Sequence, residues 1–171
     1  MNENLRHALR LSFFDRQAAR RISFDSSATA DAVVLVAAIE AVQVGVLLAV
    51  TRRFDLIGLL EAVILGIAGW LILAAAIWLM GTKVLKGSGA IEAMIRVSGF
   101  ARLPLLLGVV DYLMGSGIFR LVGLVWHLAL LVVTAGVVLG LQLKEALAAV
   151  ALGAALIAVV QLVFGAALFR F

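Results

Sequence analysis

The chain has 171 residues, 65% of them hydrophobic and 14% charged, with a net charge of +4 and a mean hydropathy of +1.20, whereas soluble domains run at about 45–50% apolar and about 25% charged. That surplus of apolar surface excludes a water-soluble globule, and the absence of cysteine excludes disulfides, thiolate zinc sites and thiol nucleophiles. With His7 and His127 alone no histidine metal cluster or other cofactor is expected, and arginines beside apolar runs point to membrane orientation and anionic phospholipids, not nucleic acid.

Long Ala/Leu/Val stretches and a single proline, Pro104, predict an all-α fold, a polytopic membrane helical bundle. Residues 1–22 are too charged to span. They lack the continuous apolar core and small-residue cleavage site of a signal peptide, and are expected to remain on the mature protein. Leu5, Leu9 and Phe13 recur every four residues with Arg6, Arg10, Arg16, Arg20 and Arg21 on other faces. This is the pattern of an amphipathic helix lying in the membrane interface; a solvated cytoplasmic helix is the alternative. The expected division is a cytoplasmic or interfacial segment over 1–30 and a five-span bundle over 31–171.

"SFDSSATAD" (23–31) offers Ser26 or Ser27 as a helix cap. The first span is predicted at 32–50, about 28 Å long at about 1.5 Å per residue. The second covers 57–80 and carries Trp70 and Trp78. A loop at 81–98 is glycine-rich, but Lys86 precedes Gly87 and Gly89 instead of following the last glycine before Ser or Thr, so it is not a phosphate loop. A short third segment is predicted at 99–114, a fourth at 118–140 and a fifth at 146–169. Arg96 and Arg102 are expected at the cytoplasmic threshold, their guanidiniums reaching phosphates, with Pro104 in the first turns of a helix.

The positive-inside rule orients the chain. With a cytoplasmic N-terminus, ten of the 14 Lys and Arg residues fall inside and four outside. The expected location is therefore the plasma or bacterial inner membrane, with the C-terminus outside.

Polar residues inside spans are Glu40 and Gln43 in the first, Glu61 in the second, Asp111 in the third, His127 in the fourth and Gln161 in the fifth. Eleven Leu, Ile and Val residues in the first span contribute roughly −3 to −7 kcal/mol to insertion, against about +2.5 to +3.5 for a central acid. Glu40 can thus insert but not face lipid ionised. Either it is neutral and hydrogen-bonds a neighbouring helix, or it belongs to an ion path with Asp111 or His127. Small residues recur at Ala37, Ala41, Gly45 and Ala49, Gly136 and Gly140 form GxxxG, and Ala149 and Gly153 repeat the spacing. Such ridges allow close helix pairing, within the chain, with another membrane subunit or in a homo-oligomer.

"IRVSGFARLPLLL" (95–107) resembles the signature of the Yip (Rab/Ypt-interacting protein) family, in which Gly99, Phe100 and Pro104 match a Gly-aromatic pair followed by proline and leucines. "FDRQAARRISFDSSATADA" (14–32), the second span running into "GTKVLKGSGAIEAMIR" (81–96), and Trp126 look like bacterial members. The resemblance implies five spans, a cytoplasmic N-terminus and a non-enzymatic role in membrane organisation or trafficking. "DLIGL" (55–59) lacks the Tyr and Pro of the Asp-Leu-Tyr-Gly-Pro motif and follows the first span, so that motif is not carried over.

Intramembrane hydrolysis would need a Gly-x-Ser-Gly with a distant His, an HExxH pair, or aspartate in a Gly-x-Gly-Asp setting. Ser98 follows "RV" and Asp111 follows "GVV", so no catalytic set assembles. The reading is a non-enzymatic scaffold, assembly or trafficking factor, or accessory subunit; the alternative is a small transporter using Glu40, Asp111 and His127.

Overall fold

The computed structural model describes residues 3–52 and 55–164, with the side chains of residues 6–52 and 55–160. Its elements are α1 (Glu3–Ser12), α2 (Arg16–Phe24), α3 (Ala28–Thr51), α4 (Leu56–Leu79), a π-helical turn (Met80–Val84), α5 (Ile91–Phe100), a 3-10 turn (Leu103–Leu106), α6 (Leu107–Met114), α7 (Ile118–Leu139) and α8 (Leu143–Phe164). Five stretches among the described residues are long and apolar enough to cross a bilayer: Ala28–Thr51, Leu56–Val84, Ile91–Met114, Ile118–Leu139 and Leu143–Val160. The expected all-α polytopic bundle is thereby found.

The N-terminal segment departs from the single amphipathic helix expected over 1–22. Phe14, in the left-handed region at φ 63°, ends α1. The Asp15 carboxylate then starts α2 by accepting from the amides of Gln17 (2.8 Å) and Ala18 (3.1 Å), two of the N–H groups a helix start leaves unpaired. Arg10 ties the bend from the other side, its Nη2 2.7 Å from Asp15 Oδ2.

The hairpin has a second, buried face. Ala8, Leu11, Ala18, Ala19 and Ile22 are buried, whereas Leu9 and Phe13 are exposed. The hairpin packs on α5 and α7 through this second face, where small alanines permit the closest approach, and the four-residue stripe of Leu9 and Phe13 is left outward. Its buried side chains join Ala32, Val36, Trp70, Val97 and Phe100 in one core cluster. For a side chain such as Leu11 or Ile22, removal from water contributes about 1.5–3 kcal/mol. Trp126 of α7 fixes the hairpin tip, its Nε1 donating to Ser12 O at 2.8 Å while its ring meets Phe13 edge-on at 6.4 Å.

α4 packs against α3, α5 and α8, and α7 against α6 and α8. A second cluster, including Ile77, Met94, Leu130, Leu131, Leu139 and Ala149, fills the space between α4, α5, α7 and α8. The loop expected over 81–98 is much shorter. The π turn prolongs α4, and α5 begins at Ile91, because Met94 and Val97 supply a buried face that Glu92 and Arg96 obscure in the sequence. What remains of the loop is fastened to the ends of α7 and α4: Ser88 N donates to Leu139 O at 2.9 Å, and Trp78 Nε1 to Gly89 O at 2.8 Å.

Other boundaries shift in the same direction. α3 begins at Ala28; Ser27 stands at its cap but makes no side-chain cap bond, and Asp25 Oδ1 instead accepts from Ser27 N and Oγ. α8 begins at Leu143, and the end of the fifth span beyond Phe164, with Arg170, lies outside the described residues. Gly140 terminates α7: at φ 68° it stands at the C-cap in the conformation where glycine meets least strain.

Candidate functional site

The third span is a broken helix. α5 runs to Phe100, the chain passes through the 3-10 turn holding the buried Pro104, and α6 resumes at Leu107. Pro104 has no N–H to return to the preceding turn, and Leu105 N donates to Arg102 O at 2.9 Å. The carbonyls around the break therefore need partners from elsewhere, since hydrocarbon offers none.

Neighbouring helices supply them. His127, buried at the middle of α7, places Nδ1 2.9 Å from Ala101 O. Gln43 of α3 donates from Nε2 to Leu105 O at 2.8 Å. Arg102, at the break itself, turns the other way: Nη1 donates to Gly66 O on α4 at 3.0 Å, and Nη2 lies 2.6 Å from Glu40 Oε1 on α3. The side chains of this ion pair are only 14% and 17% exposed, so each charge neutralises a partner that lipid could not solvate. Gly66 leaves the room, since a Cβ there would collide with the Glu40 carboxyl.

Two cavities flank Arg102. One, of about 360 Å³, is walled by Glu40, Gln43, Gly66, Arg102, Tyr112 and Arg120 among others. The other, of about 200 Å³, is walled by Trp70, Ser98, Arg102, His127, Leu131 and Ile157 among others. Across the α4–α5 contact, Trp70 Nε1 donates to Ser98 Oγ at 2.9 Å, and Ser98 Oγ donates to Ile95 O at 3.1 Å.

The geometry explains why Gly99 and Phe100 precede the break. A Cβ on Gly99 would stand 2.8 Å from Ala32 Cβ and 2.9 Å from the Trp70 ring, so the α5 backbone packs directly on side chains of α3 and α4. Phe100 beside it is buried. A family model described as the Yip1 domain matches residues 13–165. The chain belongs to the Yip1 domain family. No curated protein and no solved structure matches the chain.

In this member of the Yip1 domain family Gly99, Phe100 and Pro104, the residues on which the resemblance was read, lie together at one break. The polar residues singled out in the sequence divide among separate places. Glu40 and Gln43 face the break from α3 and His127 faces it from α7, whereas Asp111 accepts from Ser116 Oγ at 3.1 Å and lines neither cavity. The Gln161 side chain lies outside the described residues.

Arg102 departs from the expectation of a headgroup contact: it sits inside the third span, because that span starts at Ile91, and its partner is Glu40. Glu40 in turn meets a guanidinium, not a neutral group. Arg16, Arg20 and Arg21 are exposed on α2, and Arg96 is half-buried with Nε donating to Glu92 O at 3.1 Å. Gly66, Trp70 and Ser98 were not expected at the site. Only the pairing of helices identifies them; nothing in their local sequence does.

Proposed function

We propose that the chain acts by binding: a non-enzymatic scaffold, assembly or trafficking factor, or accessory subunit of a membrane complex. Supporting this is the small-residue ridge of α3. Ala37, Ala41 and Gly45 are half-buried and Ala49 exposed, and a Cβ on Gly45 would meet nothing within 4 Å. α3 also buries a smaller share of its apolar window than any other span among the described residues. A ridge that lets backbones approach, left unfilled by its own chain, suits a helix of another membrane subunit or of a second copy. The test is native purification with mass spectrometry, with Gly45→Leu as the probe: the free space around Gly45 leaves the protomer folded while association is lost. Migration of the wild type solely as a lone protomer overturns the proposal.

The membrane in this reading is the plasma or inner membrane, the N-terminus is cytoplasmic and the C-terminus outside. The alternation of spans gathers α2, the 85–90 loop and the junction of α7 with α8 at one end, and with them Arg16, Arg20, Arg21, Lys83, Lys86, Arg96 and Lys144. Arg20 and Arg96 share one cleft there, where the phosphates of anionic lipids are attracted. The N-terminal hairpin is thus both a packed part of the fold and a basic face at headgroup level.

A second reading, a small transporter, is favoured by the broken third span beside a polar-walled cavity, the arrangement by which discontinuous helices hold substrates. Liposome flux that disappears on Glu40→Gln would place it above the first.

A further inference from the structure

We infer that the cavity between α4, α5, α7 and α8 binds a membrane-dissolved alcohol, an apolar chain or ring ending in a free hydroxyl, which donates its hydrogen bond to His127 Nε2. The inference is independent of any partner on α3 and concerns a different face of the bundle.

The wall is apolar over most of its extent, with Leu73, Ala74, Leu131 and Ile157 contributing, and its polar groups are Trp70, Ser98, Arg102 and His127. Their hydrogen-bonding capacity can be counted. The Trp70 indole hydrogen goes to Ser98, and the Ser98 hydroxyl hydrogen goes to Ile95 O. Arg102 directs Nη1 and Nη2 to Gly66 and Glu40, and its Nε is occluded.

His127 is different. Its Nδ1 lies 2.9 Å from the carbonyl oxygen of Ala101. A carbonyl only accepts, so that contact assigns the ring proton to Nδ1. Nε2 is then a lone-pair acceptor. His127 is 5% exposed and Nε2 is not among the occluded unpartnered atoms, which leaves it at the cavity wall with no donor among the described residues. The unmet need of this apolar cavity is therefore a hydrogen-bond donor.

A hydroxyl meets that need. An ether, ester or ketone of the same shape brings only acceptors and sets them against the Nε2 lone pair. About 200 Å³ exceeds the roughly 150 Å³ cavity that accepts benzene in a protein interior, so the space holds a ring or the first carbons of a chain. Ala154, exposed on α8, forms part of the rim, which gives the remainder of the molecule a way out to lipid.

The full chain, labelled with 15N-histidine and held in neutral-lipid nanodiscs, gives two imidazole systems, with His7 as the internal control. Titration with 1-hexadecanol is expected to move the His127 Nε2 signal saturably and to leave His7 in place. Hexadecyl methyl ether is expected to bind roughly threefold to tenfold more weakly, the factor one hydrogen bond supplies. A diazirine analogue of hexadecanol should label peptides containing residues 69–74 or 154–157, and His127→Phe should abolish that labelling. Equal response to alcohol and ether, a signal unmoved by either because water occupies the site, or a ring protonated on both nitrogens overturns the inference. So does undiminished labelling of His127→Phe. Should that variant fail to fold, the wild-type titration decides alone.

Discussion

Glu40 and Arg102, 62 positions apart, meet at 2.6 Å inside the bundle, and the pair holds the first span to the broken third. Loss of one partner strands the other charge, which costs about 3–5 kcal/mol in a buried setting, whereas apolar replacement of both is often nearly neutral. Glu40→Met and Arg102→Met are each expected to lower stability by that order, and the double variant to lie closer to wild type than either single one. Reversible unfolding in mixed micelles checks this; additive losses would show that the two side chains do not act as a pair.

Gly99 faces Ala32 where a Cβ would approach Ala32 Cβ to 2.8 Å. Gly99→Ala is expected to destabilise by about 1–3 kcal/mol, the usual effect of overpacking, with partial recovery on adding Ala32→Gly. The recovery is the informative part, because it separates a steric clash between α3 and α5 from a general effect on helix propensity. Thermal unfolding of the three variants in one detergent measures it.

Asp15 stands at the bend of the N-terminal hairpin, outside the spans, and its carboxyl is held below the ordinary value of 3.8, mainly by the Ala18 amide, with the Gln17 amide and Arg10 adding to it against desolvation. A carboxylate with a lowered native value stabilises the fold above its unfolded value and loses that contribution as pH falls through the native one. Hydrogen-exchange protection factors at the Gln17 and Ala18 amides, corrected for the intrinsic pH dependence of exchange, are expected to be high at pH 5 and to fall as pH drops below 3.8. Asp15→Asn, which keeps a capping oxygen but does not titrate, should flatten the pH dependence.

The proposed orientation predicts a labelling pattern. Because the chain has no cysteine, Ser26→Cys, Ser88→Cys and Ser116→Cys each introduce a unique thiol at an exposed position between helices. In intact cells an impermeant maleimide is expected to reach Ser116→Cys and to spare the other two. The inverse pattern would reverse the topology.

Membrane residence, helical class and the number of spans were legible in the linear chain, because they follow from quantities that add along it: apolar content, run length and the placement of Lys and Arg. Gly99, Phe100 and Pro104 were singled out by the family resemblance, and they stand together in the structure because they are close in sequence. The length of the third span was not. Its first half carries Glu92 and Arg96, and a hydropathy reading stops at charges that the tertiary structure places at an edge. The face by which the N-terminal segment packs on the bundle was not legible, because Ala8 and Ala18 carry little hydropathy signal while close packing on α5 selects for smallness.

What only the tertiary structure decided is which polar group answers which. Arg102 had the sequence features of a headgroup contact until Glu40 and Gly66 were brought to it from α3 and α4, and His127 had no defined role until Ala101 O faced its Nδ1. Hydrophobic partition is a sum over residues and survives any arrangement of them. A hydrogen bond or ion pair depends on distance and direction between residues far apart in the chain, and those are set only when the helices pack.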